Sequence, residues 1–249
     1  FKEQVKESTL QAVRKSLESQ KVEISSIGKS KNLIFVRTDP IDQNQNSKFI
    51  STLSKDFKDV TQKEFETIGP IIGREIALNA LKAVVIASIL IVLYITWSFR
   101  KVPKPATSIR FGICAIAALI HDVLVVVGVF AILGHFFGVE IDSLFVTAIL
   151  TIIGFSVHDT IVVFDRIREN LGRMTGVKFS EVVNESILQT LGRSLNTSLT
   201  VILVLVALLI FGGESIRWFV VALLIGIISG TYSSIFNAAP LLVVWYNFV

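Results

Sequence analysis

The sequence predicts a multi-pass α-helical membrane protein carrying a small external α+β domain. Three observations lead there. The chain is 52% hydrophobic with a mean hydropathy of +0.67, well above a water-soluble domain. Its apolar residues are concentrated beyond Glu75, whereas residues 1–75 are an ordinary polar mixture with thirteen Lys or Arg and eleven Asp or Glu. A membrane-crossing helix needs about 20 mostly apolar residues. Five such runs follow Glu75, at about 76–99, 107–133, 143–165, 194–212 and 217–240.

The polar segment comes first. Leu10, Val13 and Leu17 sit at helical spacing in KESTLQAVRKSLES, as one apolar helix face requires. Two short extended runs follow, KVEISSI and NLIFVRT, separated by the turn-forming GKSK. Phe49, Ile50, Leu53 and Phe57 restore a helical pattern, and VTQKEFETI reads as a last strand. The order α-β-β-α-β is that of a ferredoxin-like unit lacking its first strand. We therefore place an external domain at residues 1–73 and a membrane domain at 74–249, with Gly69, Pro70 and Gly73 marking the junction. The chain opens on Phe1 with no signal peptide. An external domain must still cross the membrane, so the expectation is an upstream segment holding another transmembrane helix.

Charge placement orients the spans. Beyond Glu75 there are eleven Lys or Arg, and nine fall in or beside two stretches, 100–110 and 166–193. The segment after Leu133 carries only Glu140 and Asp142. By the positive-inside rule the basic stretches are cytoplasmic, which puts residues 1–73 outside and the C-terminus inside. Cys114 is the single cysteine, so no intrachain disulfide forms.

Polar side chains inside the apolar runs are the candidate site. Asp159 interrupts the third run in GFSVHDTIVVFDRIREN. An ionised carboxylate at a helix centre costs about 2.5–3.5 kcal/mol on insertion scales, so such acids face the bundle interior and mark function. With Arg166 as the cytoplasmic end, Asp159 lies ~10 Å inside the membrane. Asp122, in LIHDVLVV, lies ~22 Å from the same side, and the ~12 Å offset suits a relay better than a shared dyad. Packing remains an equal reading of Asp122. The fourth run opens with GRSLNTSLT, where Arg193, Asn196, Thr197 and Thr200 share one helix face at the depth of Asp159. His158 and Thr160 flank Asp159. In the last run Gly226, Gly230, Ser233 and Asn237 form a second stripe, of which the glycines read as helix packing. His121 and His158 lack a third partner for a metal, so no metal or other cofactor is expected.

The strings GFSVHDTIVVFDRIREN, NESILQTLGRSLNTSLT and GTYSSIFNAAPLLV resemble the SecF subunits of the bacterial SecD/SecF protein-export complex, within the resistance-nodulation-division superfamily. The resemblance implies six membrane helices with a periplasmic ferredoxin-like domain after the first, in the bacterial cytoplasmic membrane. It implies partnership with SecD, separate or fused upstream, and with the SecYEG translocon and an unfolded translocating polypeptide. It also implies use of the proton motive force, with Asp159 as the family's proton-linked acid and Arg193 as its essential arginine. The family's first helix and following Gly-Gly strand have no counterpart here.

Two other readings compete. A small-solute or ion transporter of the same superfamily would want a larger substrate-binding domain than about 70 residues. An intramembrane aspartyl protease built on Asp122 and Asp159 conflicts with their depth offset and lacks a Gly-x-Gly-Asp string. No nucleotide-binding loop, paired-cysteine motif or nucleophile elbow is present, so a non-enzymatic transport component is expected.

Overall fold

The computed structural model of the chain describes residues 7–19, 24–30, 32–57, 60–65, 70–100, 102–103 and 106–248. These fall into two compact units, residues 1–79 with Gly213–Ser215, and residues 80–212 with 216–249.

In the N-terminal unit, helix α1 (Glu7–Glu18) leads into strands β1 (Ile24–Ser30) and β2 (Leu33–Thr38), then helix α2 (Gln43–Asp56). The strands form an antiparallel hairpin with Ile27 opposite Val36 and Ser30 opposite Leu33. Strand β1 thus runs through Gly28–Ser30, where a turn was expected. Helix α2 begins at a capping box: Asp42 Oδ1 accepts the Gln45 N–H at 2.7 Å, and the Gln45 side chain accepts the Asp42 N–H at 2.9 Å. Val13, Leu17, Phe49 and Leu53 form the buried core, edged by Ile24, Ile34 and Val36; Leu10 is half-buried.

The α-β-β-α order follows the sequence pattern, but the sheet among the described residues has two strands only. Residues 60–65, expected to begin a third strand, are not one, and residues 66–69 lie outside the described residues. The segment is held by side chains instead: Asn46 Nδ2 donates to Gln62 Oε1 at 3.2 Å, and Val60 packs on the core. A ferredoxin-like sheet is therefore not established.

Five helical spans are long and apolar enough to cross a membrane, the first of them running from Ala77 and lying in the second unit from residue 80 on. They are α3 (Pro70–Ser98), α4 (Ser108–Phe137), α5 (Ser143–Arg173), α6 (Phe179–Phe211) and a composite of α7 (Arg217–Ser233), a π-helical turn (Ser234–Ala238) and α8 (Ala239–Asn247). The count agrees with the sequence; the ends do not. Helix α5 runs eight residues past 165, and α6 begins fifteen before 194. What read as a loop at 166–193 is a helical hairpin whose connection, residues 174–178, contains Gly176 at φ +82°. A hydropathy window finds where apolar side chains stop, but a helix continues wherever its polar side chains find partners. Here Asn170 Nδ2 donates to Ser186 Oγ at 2.9 Å and to Gln189 Oε1 at 3.0 Å, and Arg166 bonds Gln189 and Glu169.

Helices α5 and α7 form the centre. A Cβ added at Gly226 would overlap the Ile152 side chain, and one at Gly230 would stand 3.1 Å from Ser156 Cβ. Ile152 and Ser156 are one turn apart, as are the two glycines, so a ridge of α5 seats in a groove of α7. Helix α3 is held mainly near its end, where Ile95 and Phe99 are buried and Phe99 stacks on Phe111, which meets Phe164 edge-on. The π turn precedes Pro240. A proline has no N–H for the carbonyl four residues back and its ring crowds that carbonyl, so the helix widens there.

Candidate functional site

Two acids are buried within the spans: Asp122 at 1% exposure and Asp159 at 3%. Their surroundings differ. Asp122 is held by hydroxyls from two other helices. Ser156 of α5 and Ser233 of α7 each donate to Oδ2 at 2.6 Å, and Ser229 of α7 donates to Oδ1 at 2.9 Å. His121 Nδ1 lies 3.1 Å from Oδ1. All four oxygens and nitrogens converge on one carboxyl group, a satisfied polar network of the kind a buried acid requires.

Asp159 is held loosely. Ser234 Oγ reaches its Oδ2 at 3.5 Å. Ser194 of α6 faces the same carboxyl group, yet its buried Oγ meets no partner at hydrogen-bond geometry. Unsatisfied buried polar atoms are rare in folded proteins.

The two acids are closer in depth than the sequence count indicated. The Asp122 carboxyl group is level with Ser156, and Asp159 is three residues further along α5, or ~4.5 Å at the helical rise. The count of ~12 Å took the ends of the apolar runs as the membrane faces, and the helices extend past them. Each carboxyl group has its own hydroxyl partners, so the acids are neighbours rather than a shared dyad.

Other candidates are placed as follows. Arg193 lies in the middle of α6, on its exposed side, with Asn196, Thr197 and Thr200. No ion pair joins it to Asp159 among the described residues. Thr197 and Thr200 bond back to the carbonyls of Arg193 and Thr197. His158 is exposed, and Thr160 is buried with its hydroxyl on the Ser156 carbonyl at 3.0 Å. Asn237 is half-buried beside a groove of about 330 Å³ lined by Ala117, His121, Phe236, Pro240 and Leu241. No cluster of three metal-ligating side chains occurs among the described residues.

The sequence reading missed the serines. Ser156, Ser194, Ser229 and Ser234 are all buried. The buried ridge of α6 is Ser186, Thr190, Ser194 and Ser198, four apart throughout, and Ser198 shares a 2.6 Å hydrogen bond with Thr231 of α7. That i, i+4 repeat of small hydroxyls is present in the sequence, beside the more conspicuous stripe headed by Arg193.

A family model described as protein export membrane protein SecD/SecF, C-terminal, matches residues 48–248. The chain belongs to the SecD/SecF protein-export membrane protein family. Among SecD/SecF relatives, the chain is 59% identical over 203 residues to a protein translocase subunit SecF from Thermobaculum terrenum, covering 82% of this chain and 63% of that protein. It is 38% identical over 243 residues to protein translocase subunit SecDF from Bacillus subtilis, covering 95% of this chain and 31% of that one. The crystal structure of a SecDF in its super-membrane-facing form aligns with a TM-score of 0.68 at 32% identity, over 98% of this chain and 32% of that protein. The chain thus spans about two thirds of the length of the SecF relative and a third of the SecDF proteins.

Proposed function

We propose that the chain is part of a proton-motive-force-driven subunit of the Sec protein-export machinery in the bacterial cytoplasmic membrane. In this reading residues 1–73 are an external domain of ferredoxin-like type, and the C-terminus is cytoplasmic. Proton passage near Asp159 and Arg193 moves the membrane helices, and with them the external domain, to promote translocation of an unfolded polypeptide through the SecYEG channel.

The observation that carries the reading is the contrast between the two acids. Asp122 is saturated with hydrogen bonds, whereas Asp159 has, among the described residues, one hydrogen bond, at 3.5 Å from Ser234, with the Ser194 hydroxyl nearby. A carboxyl group so loosely held can change protonation state without breaking a network, and a group with two states and two environments couples a proton to a shape change. Arg193 on the exposed side of the neighbouring helix can approach or leave it.

The exposed polar stripe of α6 supports a SecD partner, separate or fused. Arg193, Asn196, Thr197 and Thr200 face outward from this chain, and lipid does not solvate such a face. A second helical repeat laid on it would solvate it, placing Asp159 and Arg193 at a central interface as in transporters built of repeats. That relatives exist as single SecDF chains agrees with this.

The test is Asp159→Asn, which keeps the shape and one acceptor but cannot titrate. Export driven by a proton gradient in membrane vesicles should be lost while expression and partner binding persist, and Asp159→Glu should retain part of it. Full activity in Asp159→Asn would make the acid structural and overturn the proposal.

A further inference from the structure

We propose that Ser194 of α6 and Ser234 of the π turn form a hydroxyl clamp that closes on Asp159 when the acid is ionised and opens when it is protonated. The inference deepens the proton-coupled reading above and rests on it. It makes Ser194 a positioning residue. That side chain is 1% exposed, and its hydroxyl bonds nothing among the described residues. The other three hydroxyls of its ridge are engaged: Ser186, Thr190 and Ser198 each donate to the carbonyl four residues back. Ser194 has the Thr190 carbonyl in the same place, leaves it unused, and faces the Asp159 carboxyl group. Ser234 is divided. Its Oγ lies 3.0 Å from the Thr231 carbonyl and 3.5 Å from Asp159 Oδ2, and its single O–H favours the shorter contact. Two buried hydroxyls from two helices thus stand at one acid, and neither is committed to it. Asp122 shows the opposite limit in the same bundle, gripped by Ser156 and Ser233 at 2.6 Å and by Ser229 at 2.9 Å.

The clamp sits beside a fixed point. One turn from Ser194 and one turn from Ser234, Ser198 and Thr231 share a 2.6 Å hydrogen bond that pins α6 to α7. Closure therefore breaks no helix: two hydroxyls turn, and the 3.5 Å contact shortens toward the 2.6 Å seen at Asp122. Protonation supplies the trigger. An ionised carboxylate only accepts hydrogen bonds and takes one from each serine, whereas a protonated one has its own O–H to place and releases a donor. The ionisable groups around Asp159 are few. His158 adjoins it on α5 and Arg193 adjoins Ser194 on α6, both on exposed sides. Helix α4 brings Asp122 with His121, held by that acid's own serines, and the π turn brings none.

The experiment uses the full-length protein with its partner in proteoliposomes. Infrared difference spectroscopy follows the carboxyl C=O band of protonated Asp159, identified as the band that Asp159→Asn removes. Ser194→Ala deletes a donor to the ionised form, so the band should persist to about tenfold lower proton concentration. Ser234→Ala should move it the same way, and proton flux should fall severalfold in both because release from Asp159 is hindered. Thermal unfolding separates positioning from packing. Ser194→Ala removes a hydroxyl that has no partner, so its midpoint should equal or exceed that of the unsubstituted protein, whereas Ser198→Ala should lower it. An Asp159 band that stays in place in Ser194→Ala overturns the clamp. So does a band that moves only with a midpoint as low as that of Ser198→Ala, which would make the hydroxyl structural. If Asp159→Asn abolishes flux while the Ser194→Ala band is unmoved, the clamp alone fails; if Asp159→Asn carries wild-type flux, the proton-coupled reading fails with it.

Discussion

Ser233 and Ser234 are consecutive residues whose hydroxyls serve different acids: Ser233 Oγ is 2.6 Å from Asp122 Oδ2, and Ser234 Oγ is 3.5 Å from Asp159 Oδ2. Neighbours on a helix point about 100° apart, so one short segment reaches α4 on one side and α5 on the other. The junction of α7 with the π turn falls between them. Any rearrangement of that turn is felt by both acids.

Removing a hydroxyl from the Asp122 network should destabilise the membrane unit. Ser156→Ala and Ser233→Ala each delete a 2.6 Å bond to a buried carboxyl group, and hydrogen bonds to charged groups are worth about 1.5–3 kcal/mol. Thermal unfolding in detergent should show a lowered midpoint for both, whereas Thr197→Ala, on the exposed face of α6, should leave it unchanged.

Gly226→Ala should be more harmful than its single methyl group suggests. The new Cβ would overlap Ile152, which is fully buried, and overpacking of this kind costs about 1–3 kcal/mol. The same thermal measurement checks it, and Ile152→Val in the same chain should recover part of the loss by freeing space.

Arg193→Lys should impair proton-driven export even though the charge is kept. A guanidinium offers a planar fork of donors, and an ammonium is a point charge on a flexible stem. Export assayed in vesicles at matched expression should fall well below the unsubstituted protein.

The orientation of the chain is checked by impermeant thiol labelling. Cys114 is buried and is first replaced by alanine. Cysteines introduced at Ser47, exposed in α2, and Thr175, exposed in the hairpin connection, should then label from opposite sides of the membrane.

Asp42→Ala should weaken the N-terminal unit. It removes the side-chain acceptor of the Gln45 N–H and leaves the backbone N–H of residue 42 on the Gln45 side chain, and loss of an N-cap side chain costs about 1 kcal/mol. Hydrogen exchange at the first turn of α2 should quicken, while that of the β1–β2 hairpin changes less.

The membrane architecture was legible because hydrocarbon imposes a crude rule: about 20 apolar residues in a row. Five runs met it and five spans formed. Helix ends were not legible, since the pairings that prolong α5 and α6, Asn170 with Ser186 and Gln189, join residues far apart in the chain. In the N-terminal unit the helical faces of Val13 with Leu17 and Phe49 with Leu53 were clear. The third strand was not, because the alternation of apolar residues in VTQKEFETI cannot say whether a strand edge is there to receive it. At the site the acids announced themselves by their cost in an apolar run. Of their serines only Ser233 stood out, in the stripe of the last run, for a serine costs little anywhere, and only the fold shows which ones converge.

The short connection between α5 and α6 fixes a register. Asp159 stands fourteen residues before Arg173, the last residue of one arm, and Arg193 fourteen after Phe179, the first of the other. Both are therefore ~21 Å from the turn, and they share a level by counting alone. An inserted or deleted residue at 174–178 leaves that equality intact. The same change inside one arm, between Asp159 and Arg173 or between Phe179 and Arg193, shifts one partner by ~1.5 Å and swings it ~100° about its axis. Natural length variation in this family should accordingly collect in the connection and be absent from the arms.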